Sequence, residues 1–277
     1  MSSKKSSRRD IPVFTHPIVE THCHLDYLKS HELDELLEKV KTYNIEKIIT
    51  IAVEPNNLKT VFDLAQKHSQ IWGTQGIHPH QSGLWDNHVK EIIKENLKQD
   101  TNSNIVAIGE IGLDYYYDKN PRNIQIKAFE EQIQLATDND LPFVIHSRDA
   151  EEDTMAILKN VKTQIRQKAV IHSFTSKIEL AELAIDLDLF LGFNGIITFK
   201  NAKDVQSAVE IAPLSHILLE TDAPFLTPVP YRGKENAPFY LPFIAEKVAE
   251  LKQTDVLEVL QKTYRNSHLL FTRLQSN

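Results

Sequence analysis

Two histidines stand two positions apart in the run Val19-Glu20-Thr21-His22-Cys23-His24-Leu25-Asp26. Along an extended strand successive side chains alternate between faces, so His22 and His24 share one face and Cys23 takes the other. Neutral imidazoles ligate metals, yet two of them make half a site, because a divalent ion needs three or more donors converging from separate elements. Donor-type side chains recur down the chain at His78 and His80, Glu110, His146, His172 and Asp222, each after a short apolar run. Eight such groups in one recurring position point to a metal centre rather than to scattered core histidines. His31, His68, His88, His216 and His268 fall inside helices or at the beginnings of elements and read as surface or structural residues.

The elements that must carry these donors follow a strict alternation. Apolar runs at 17–21, 47–53, 71–77, 105–108, 142–145, 169–171, 189–193 and 217–219 read as strands. Between them lie stretches of helical period. Ser30 precedes Leu33, Leu36, Leu37 and Val40; Asn56 precedes Leu58, Val61, Phe62 and Ala65; Asn120 and Pro121 provide a cap and first-turn proline for a helix burying Ile126, Phe129, Ile133 and Ala136. Helices over about 239–251 and 254–271 close the chain. Eight strand and helix pairs over roughly the ~250 residues such a unit needs predict a single-domain (β/α)8 TIM barrel, spanning 15–277, of α/β class. An open doubly wound sheet fits the alternation less well. The donors end the strands, first and last included, and only closure brings those two together.

The chain has 277 residues, 41% of them hydrophobic, one cysteine and a formal charge of −7. One cysteine excludes an internal disulfide framework and fits a reducing, cytoplasmic setting, with Cys23 a small buried residue. No apolar run approaches the ~20 residues of a membrane span. Residues 1–14, with Lys4, Lys5, Arg8 and Arg9 among serines, read as a disordered basic tail. The acidic balance argues against a protein that coats nucleic acid through a broad basic surface, so an anionic substrate would be held locally. Lys200, Arg232 and Lys234 lie on loops at the mouth; Tyr115, Tyr116 and Tyr117 read first as packing or loop cover, with base stacking as the alternative.

The motifs Thr21-His22-Cys23-His24-Leu25-Asp26, Gly76-Ile77-His78-Pro79, Gly109-Glu110-Ile111-Gly112-Leu113-Asp114-Tyr115, Ile145-His146-Ser147-Arg148-Asp149-Ala150, Ile171-His172-Ser173-Phe174, Glu220-Thr221-Asp222-Ala223-Pro224 and Arg232-Gly233-Lys234 closely resemble, in this order, the TatD family of metal-dependent deoxyribonucleases of the amidohydrolase superfamily. The resemblance implies a barrel with two divalent ions, Mg, Mn or Zn. His22, His24 and Asp222 would ligate one, His146 and His172 the other, and Glu110 would bridge them. Two ions roughly 3.5 to 4 Å apart activate a water and clamp phosphoryl oxygens; Asp222, with Glu110 as the second catalytic carboxylate, would orient that water and accept its proton. His78, Arg148, Lys200 and Arg232 would hold substrate phosphates.

The expected partner is DNA, cut from the 3′ ends of single strands, with no membrane and no protein partner indicated. The alternative is an ester or amide hydrolase such as an aminoacyl-tRNA deacylase; a metal-binding scaffold without turnover sits badly with Asp222. Three positions depart from the family pattern: Glu20 where aspartate is common, Ser173-Phe174-Thr175-Ser176 in place of Cys-Phe-Ser-Gly, and Phe193-Asn194 in place of a serine-containing turn.

Overall fold

In a computed structural model that describes residues 8–102, 104–165 and 168–275, eight strands run parallel in chain order: β1 (Ile18–Cys23), β2 (Ile45–Thr50), β3 (Ile71–Gln75), β4 (Ile105–Asp114), β5 (Phe143–Arg148), β6 (Ala169–Ile171), β7 (Phe190–Phe193) and β8 (Ile217–Leu219). The helices that return the chain are α1 (Leu33–Thr42), α2 (Pro55–Lys67), α3 (Asn87–Gln99), α4 (Arg122–Asp138), α5 (Glu151–Val161), α6 (Ile178–Asp186), α7 (Lys203–Ile211) and α8 (Leu241–Lys252), with α9 (Val256–Leu270) after them. The architecture is the expected (β/α)8 barrel.

Strand alternation divides the core into two clusters. Val19, Ile49, Ile51, Trp72, Val106, Val144, Val170, Phe190 and Leu218 group in the barrel interior, with Leu270, Phe271 and Leu274 packed against them from the end of α9 onward. Their strand neighbours, among them Ile18, Ile48, Ile71, Phe143, Ile145, Ile171 and Ile217, join the apolar faces of the helices in a larger cluster. Fully burying one such side chain is worth roughly 1.5–3 kcal/mol, so the two clusters hold the strand ends to a fixed geometry. No helix among the described residues is long and apolar enough to cross a membrane.

Two irregularities aim the donors. β1 carries one extra residue against β2 between Glu20 and Cys23, and β4 carries one against β5 between Ile108 and Ile111. A bulge bends its strand and redirects the side chains on it, and these two contain His22 and Glu110. β4 therefore does not stop at Ile108, as the sequence suggests, but continues through Glu110 to Asp114.

The seam between β8 and β1 lies where the donors meet. Asp222 N donates to His22 O at 2.9 Å, His24 N to Ala223 O at 2.7 Å, and the Thr21 hydroxyl to Leu219 O at 2.9 Å. Glu20 spans the same seam, its Oε1 accepting from His22 N at 3.0 Å and Thr221 N at 2.9 Å. The extra methylene of Glu20 is thus used to reach the last strand. Complete burial pushes its carboxyl up to about 8, against these hydrogen bonds, so the fold favours the neutral acid.

A group raised in this way stabilises fully below the ordinary carboxylate value, and that contribution drains away as pH rises toward 8. Glu20→Gln, which keeps the acceptor without the ionisation, should leave metal-free stability within about 1 kcal/mol near pH 5 and exceed the wild type near pH 8 in urea melts. Glu20→Ala should cost about 1–3 kcal/mol at either pH by leaving two buried N–H groups unsatisfied. Equal pH slopes for wild type and Glu20→Gln would refute the assignment.

Several local expectations shift. The predicted tail boundary at residue 14 differs from the structure. Arg9 forms a bidentate pair with Glu246 on α8 at 2.6 and 2.9 Å, Tyr231 donates to Arg9 O, and Arg8 stacks over Tyr231, so charge pairing and aromatic cover attach the chain from residue 8 onward; residues 1–7 of the tail lie outside the described residues. Asn120 caps no helix: its amide donates to His80 O and Pro79 O, and α4 starts at Arg122 after Pro121. In α2 the side chain turned back on the first turn is Asn57, accepting from Val53 N and Glu54 N, not Asn56.

Candidate metal centre

Glu110 stands at the middle of the barrel mouth, brought inward by the β4 bulge. Its Oε1 lies 2.7 Å from His172 Nε2, 2.9 Å from His146 Nδ1 and 3.4 Å from His78 Nε2, and its Oε2 lies 3.5 Å from His22 Nε2. From the seam, Asp222 Oδ1 approaches His24 Nε2 at 3.5 Å and His22 Nε2 at 3.8 Å. The rings of His22 and His172 stack at 3.8 Å between centroids, tying the first strand to the sixth. The structure therefore brings together His22, Glu110 and His146 from β1, β4 and β5, His24 and His172 from just after β1 and β6, and Asp222 from the turn after β8.

The electrostatics follow from burial and mutual contact. Burial alone would raise the Glu110 carboxyl, but His172, His78 and His146 around it hold it well below the usual carboxylate range. Asp222 is likewise opposed by burial and held low by His24, His22 and His172. His172 is pushed well above its ordinary value, burial being outweighed by Glu110 and Glu220, while burial and the neighbouring His172 lower His22. Both carboxylates are thus held ionised, the form in which a carboxylate ligates a divalent ion.

The donor set fits a metal. Neither ring nitrogen of the buried His22 is hydrogen-bonded, nor is Nδ1 of His24 or of His172; buried polar atoms without partners are rare. Among the described residues, three groups have one donor atom per residue within 4.8 Å of one another: His22, His172 and Asp222; His22, His24 and Glu110; and His78, Glu110 and His146. His78, counted among the donor-type side chains and given a phosphate role by the resemblance, lies in the inner cluster. Its Nδ1 accepts from His80 N at 3.1 Å, so the proton belongs on Nε2, and burial lowers it to about 4. At neutral pH it is an uncharged donor.

A cavity of about 600 Å³ opens over this floor. Arg148 lines it, its guanidinium 4.1 Å from the Tyr116 ring centroid and 4.9 Å from that of Tyr117. Lys200 and Arg232 do not line it; both are exposed, and Arg232 stacks on Phe199 at 4.0 Å.

The sequence reading missed the residues that orient the donors. Asp114 Oδ2 lies 3.0 Å from His146 Nε2 and 2.9 Å from His80 Nε2, which leaves His146 Nδ1 to face the centre. Glu220 sits under His172 with Oε1 3.7 Å from Nδ1, and accepts from Ser173 N at 2.5 Å. A signal existed for both: each lies an even number of residues from a site carboxylate, Glu110 or Asp222, near the same strand end. Glycine makes room twice. A Cβ at Gly192 would stand 2.3 Å from Glu220 Oε2, and one at Gly112, where φ is +141°, would stand 2.0 Å from His146 O.

A barrel with this donor set at its carboxyl ends defines a metal-dependent hydrolase. The family model described as TatD related DNase matches residues 19–272, and the chain belongs to that family. It is 36% identical over 255 residues to the uncharacterized metal-dependent hydrolase YabD of Bacillus subtilis (strain 168), covering 92% of this chain and 98% of the relative. Against the uncharacterized metal-dependent hydrolase YcfH of Escherichia coli (strain K12) it is 35% identical, covering 94% and 98%. The crystal structure of YJJV, a TatD homolog from Escherichia coli K12, superposes with a TM-score of 0.86 at 28% identity over 92% of this chain and 98% of that one.

Proposed function

We propose that the protein is a metal-dependent deoxyribonuclease that hydrolyses phosphodiester bonds at the 3′ ends of single strands around two divalent ions. His22, His24 and Asp222 would hold one ion, His146 and His172 the other, with Glu110 between them. In support, the two oxygens of Glu110 face different imidazoles, Oε2 toward His22 and Oε1 toward His146 and His172. Bound there, divalent ions polarise phosphoryl oxygens and supply an activated water.

The chain's own groups do the rest. Asp222, ionised and slightly open to the cavity, accepts the proton of the attacking water on its carboxylate. The neutral His78 donates from Nε2 to a non-bridging oxygen. Arg148 carries the charge that His78 lacks. A cavity of about 600 Å³ is of small-ligand size and suits a terminal nucleotide or two rather than a length of duplex.

The observation that carries the reading is Arg148. Its guanidinium carbon lies 4.1 and 4.9 Å from the Tyr116 and Tyr117 ring centroids and it has no carboxylate partner among the described residues, which leaves N–H groups for a phosphate beside the cluster. Purified metal-loaded protein should release nucleotides from 3′-labelled single-stranded DNA, lose that activity to chelator, and release no amino acid from charged tRNA. The reverse pattern would make it a deacylase.

A further inference from the structure

Nine large apolar side chains are exposed among the described residues, and scattered singly they would need no explanation. Two of them, Tyr117 and Phe225, line the cavity over the donor cluster. Tyr117 is 50% exposed and Phe225 51%. Neither is loop cover. Tyr115, the first of the three consecutive tyrosines, is the packing residue, donating to Asp153 and stacked by Arg122; Tyr116 and Tyr117 are turned outward at right angles with Arg148 against both.

Both residues are held through their backbone N–H. Tyr117 N donates to Asp114 Oδ1 at 2.8 Å, and Phe225 N donates to Asp222 O at 2.9 Å. Each aromatic thus follows by three residues an aspartate tied to the donor cluster, one through His146 and one through His24. His80 stands edge-on to Tyr117 at 5.2 Å and His24 edge-on to Phe225 at 6.1 Å, so each ring borders the imidazole floor.

Resting on the nuclease reading, we infer that Tyr117 and Phe225 are the two walls of a stacking clamp that holds the unpaired bases on either side of the phosphate at the metal centre. The occupant is a single-strand end. A flat aromatic wall with a guanidinium beside it accepts the π-face of any base, and the charge of Arg148 complements the phosphate between the bases. Paired bases do not present those faces. The clamp makes strand state, rather than sequence, the property the enzyme selects.

The test uses metal-loaded protein and a single-stranded oligodeoxynucleotide with 2-aminopurine as its 3′ base, phosphorothioate-linked to resist cutting. Wild type should quench the fluorophore on binding. Tyr117→Ala and Phe225→Ala should each weaken binding on the order of 5- to 100-fold and lose part of the quench, with Phe225→Trp restoring both. With an abasic 3′ end the gap between wild type and the alanine variants should close. Circular dichroism and metal content check that the variants are folded and loaded. Alanine variants that bind and quench as wild type would overturn the clamp while cleavage of ordinary DNA by wild type keeps the nuclease reading. A loaded wild type that neither cleaves nor binds DNA would overturn both.

Discussion

Glu110→Gln should yield a folded protein that retains little metal and hydrolyses almost nothing. Among the described residues, Glu110 is the only carboxylate within 3.5 Å of four imidazoles, His22, His78, His146 and His172. Their combined pull overcomes complete burial and keeps it ionised. An amide of the same shape removes the charge and turns an NH2 toward His22, His146 and His172, the rings that in the proposed centre would offer lone pairs to an ion. Losing a partner that only supports a ligand costs 10- to 100-fold in metal affinity, so loss of this group should cost more than about 100-fold. Metal analysis after dialysis reads the effect without reference to any substrate, and activity should not return with excess metal. Wild-type metal content in Glu110→Gln would mean that the ions sit elsewhere.

The barrel was legible because its signal is repeated. Each strand is a short apolar run and each helix has a 3.6-residue period, so errors at single boundaries do not disturb the alternation. The donors were legible because parallel strands deliver their carboxyl ends to one face. What was not legible depends on contacts between distant segments. The bulges in β1 and β4 leave no mark of their own: Gly109-Glu110 falls just past the apolar run at 105–108, and its place inside a ten-residue strand is decided by pairing with β5. Asn120 looks like a helix cap until the loop after β3 arrives to take its amide. The closeness of His78 to Glu110 and His146 is likewise set by separate strands meeting at the mouth.

The departures from the family pattern make the same point. Ser173 and Asn194 differ from the usual residues at two places far apart in sequence, yet Asn194 Nδ2 donates to Ser173 Oγ at 2.8 Å and reaches Glu220 Oε1 at 3.5 Å. The two changes meet beside the carboxylate that supports His172. Neither could be interpreted alone, and together they form one hydrogen-bonded unit under a donor. Glu20 belongs to the same class, since its added length has a purpose only when Thr221 lies across the seam.

Asp222→Asn should separate the tasks of the last-strand carboxylate. Asp222 holds φ at +56°, in the left-handed region, and its backbone N–H closes the seam on His22 O. Asparagine tolerates that conformation, whereas an ordinary L residue pays roughly 1–2 kcal/mol. Asn therefore keeps the backbone, the seam and one side-chain oxygen, and loses the ionised carboxylate to which the proposed mechanism gives the proton. Turnover of single-stranded DNA should fall on the order of 10²- to 10⁴-fold, the usual worth of a positioned base, with KM changed far less and the melting temperature of the metal-free protein close to wild type. Asp222→Ala should lose as much turnover and, in addition, melt lower, because strain joins the loss of the oxygen. If Asp222→Asn cleaves at the wild-type rate, the proton goes elsewhere. Glu110, held ionised by its imidazoles in the same cluster, would then be the group to examine.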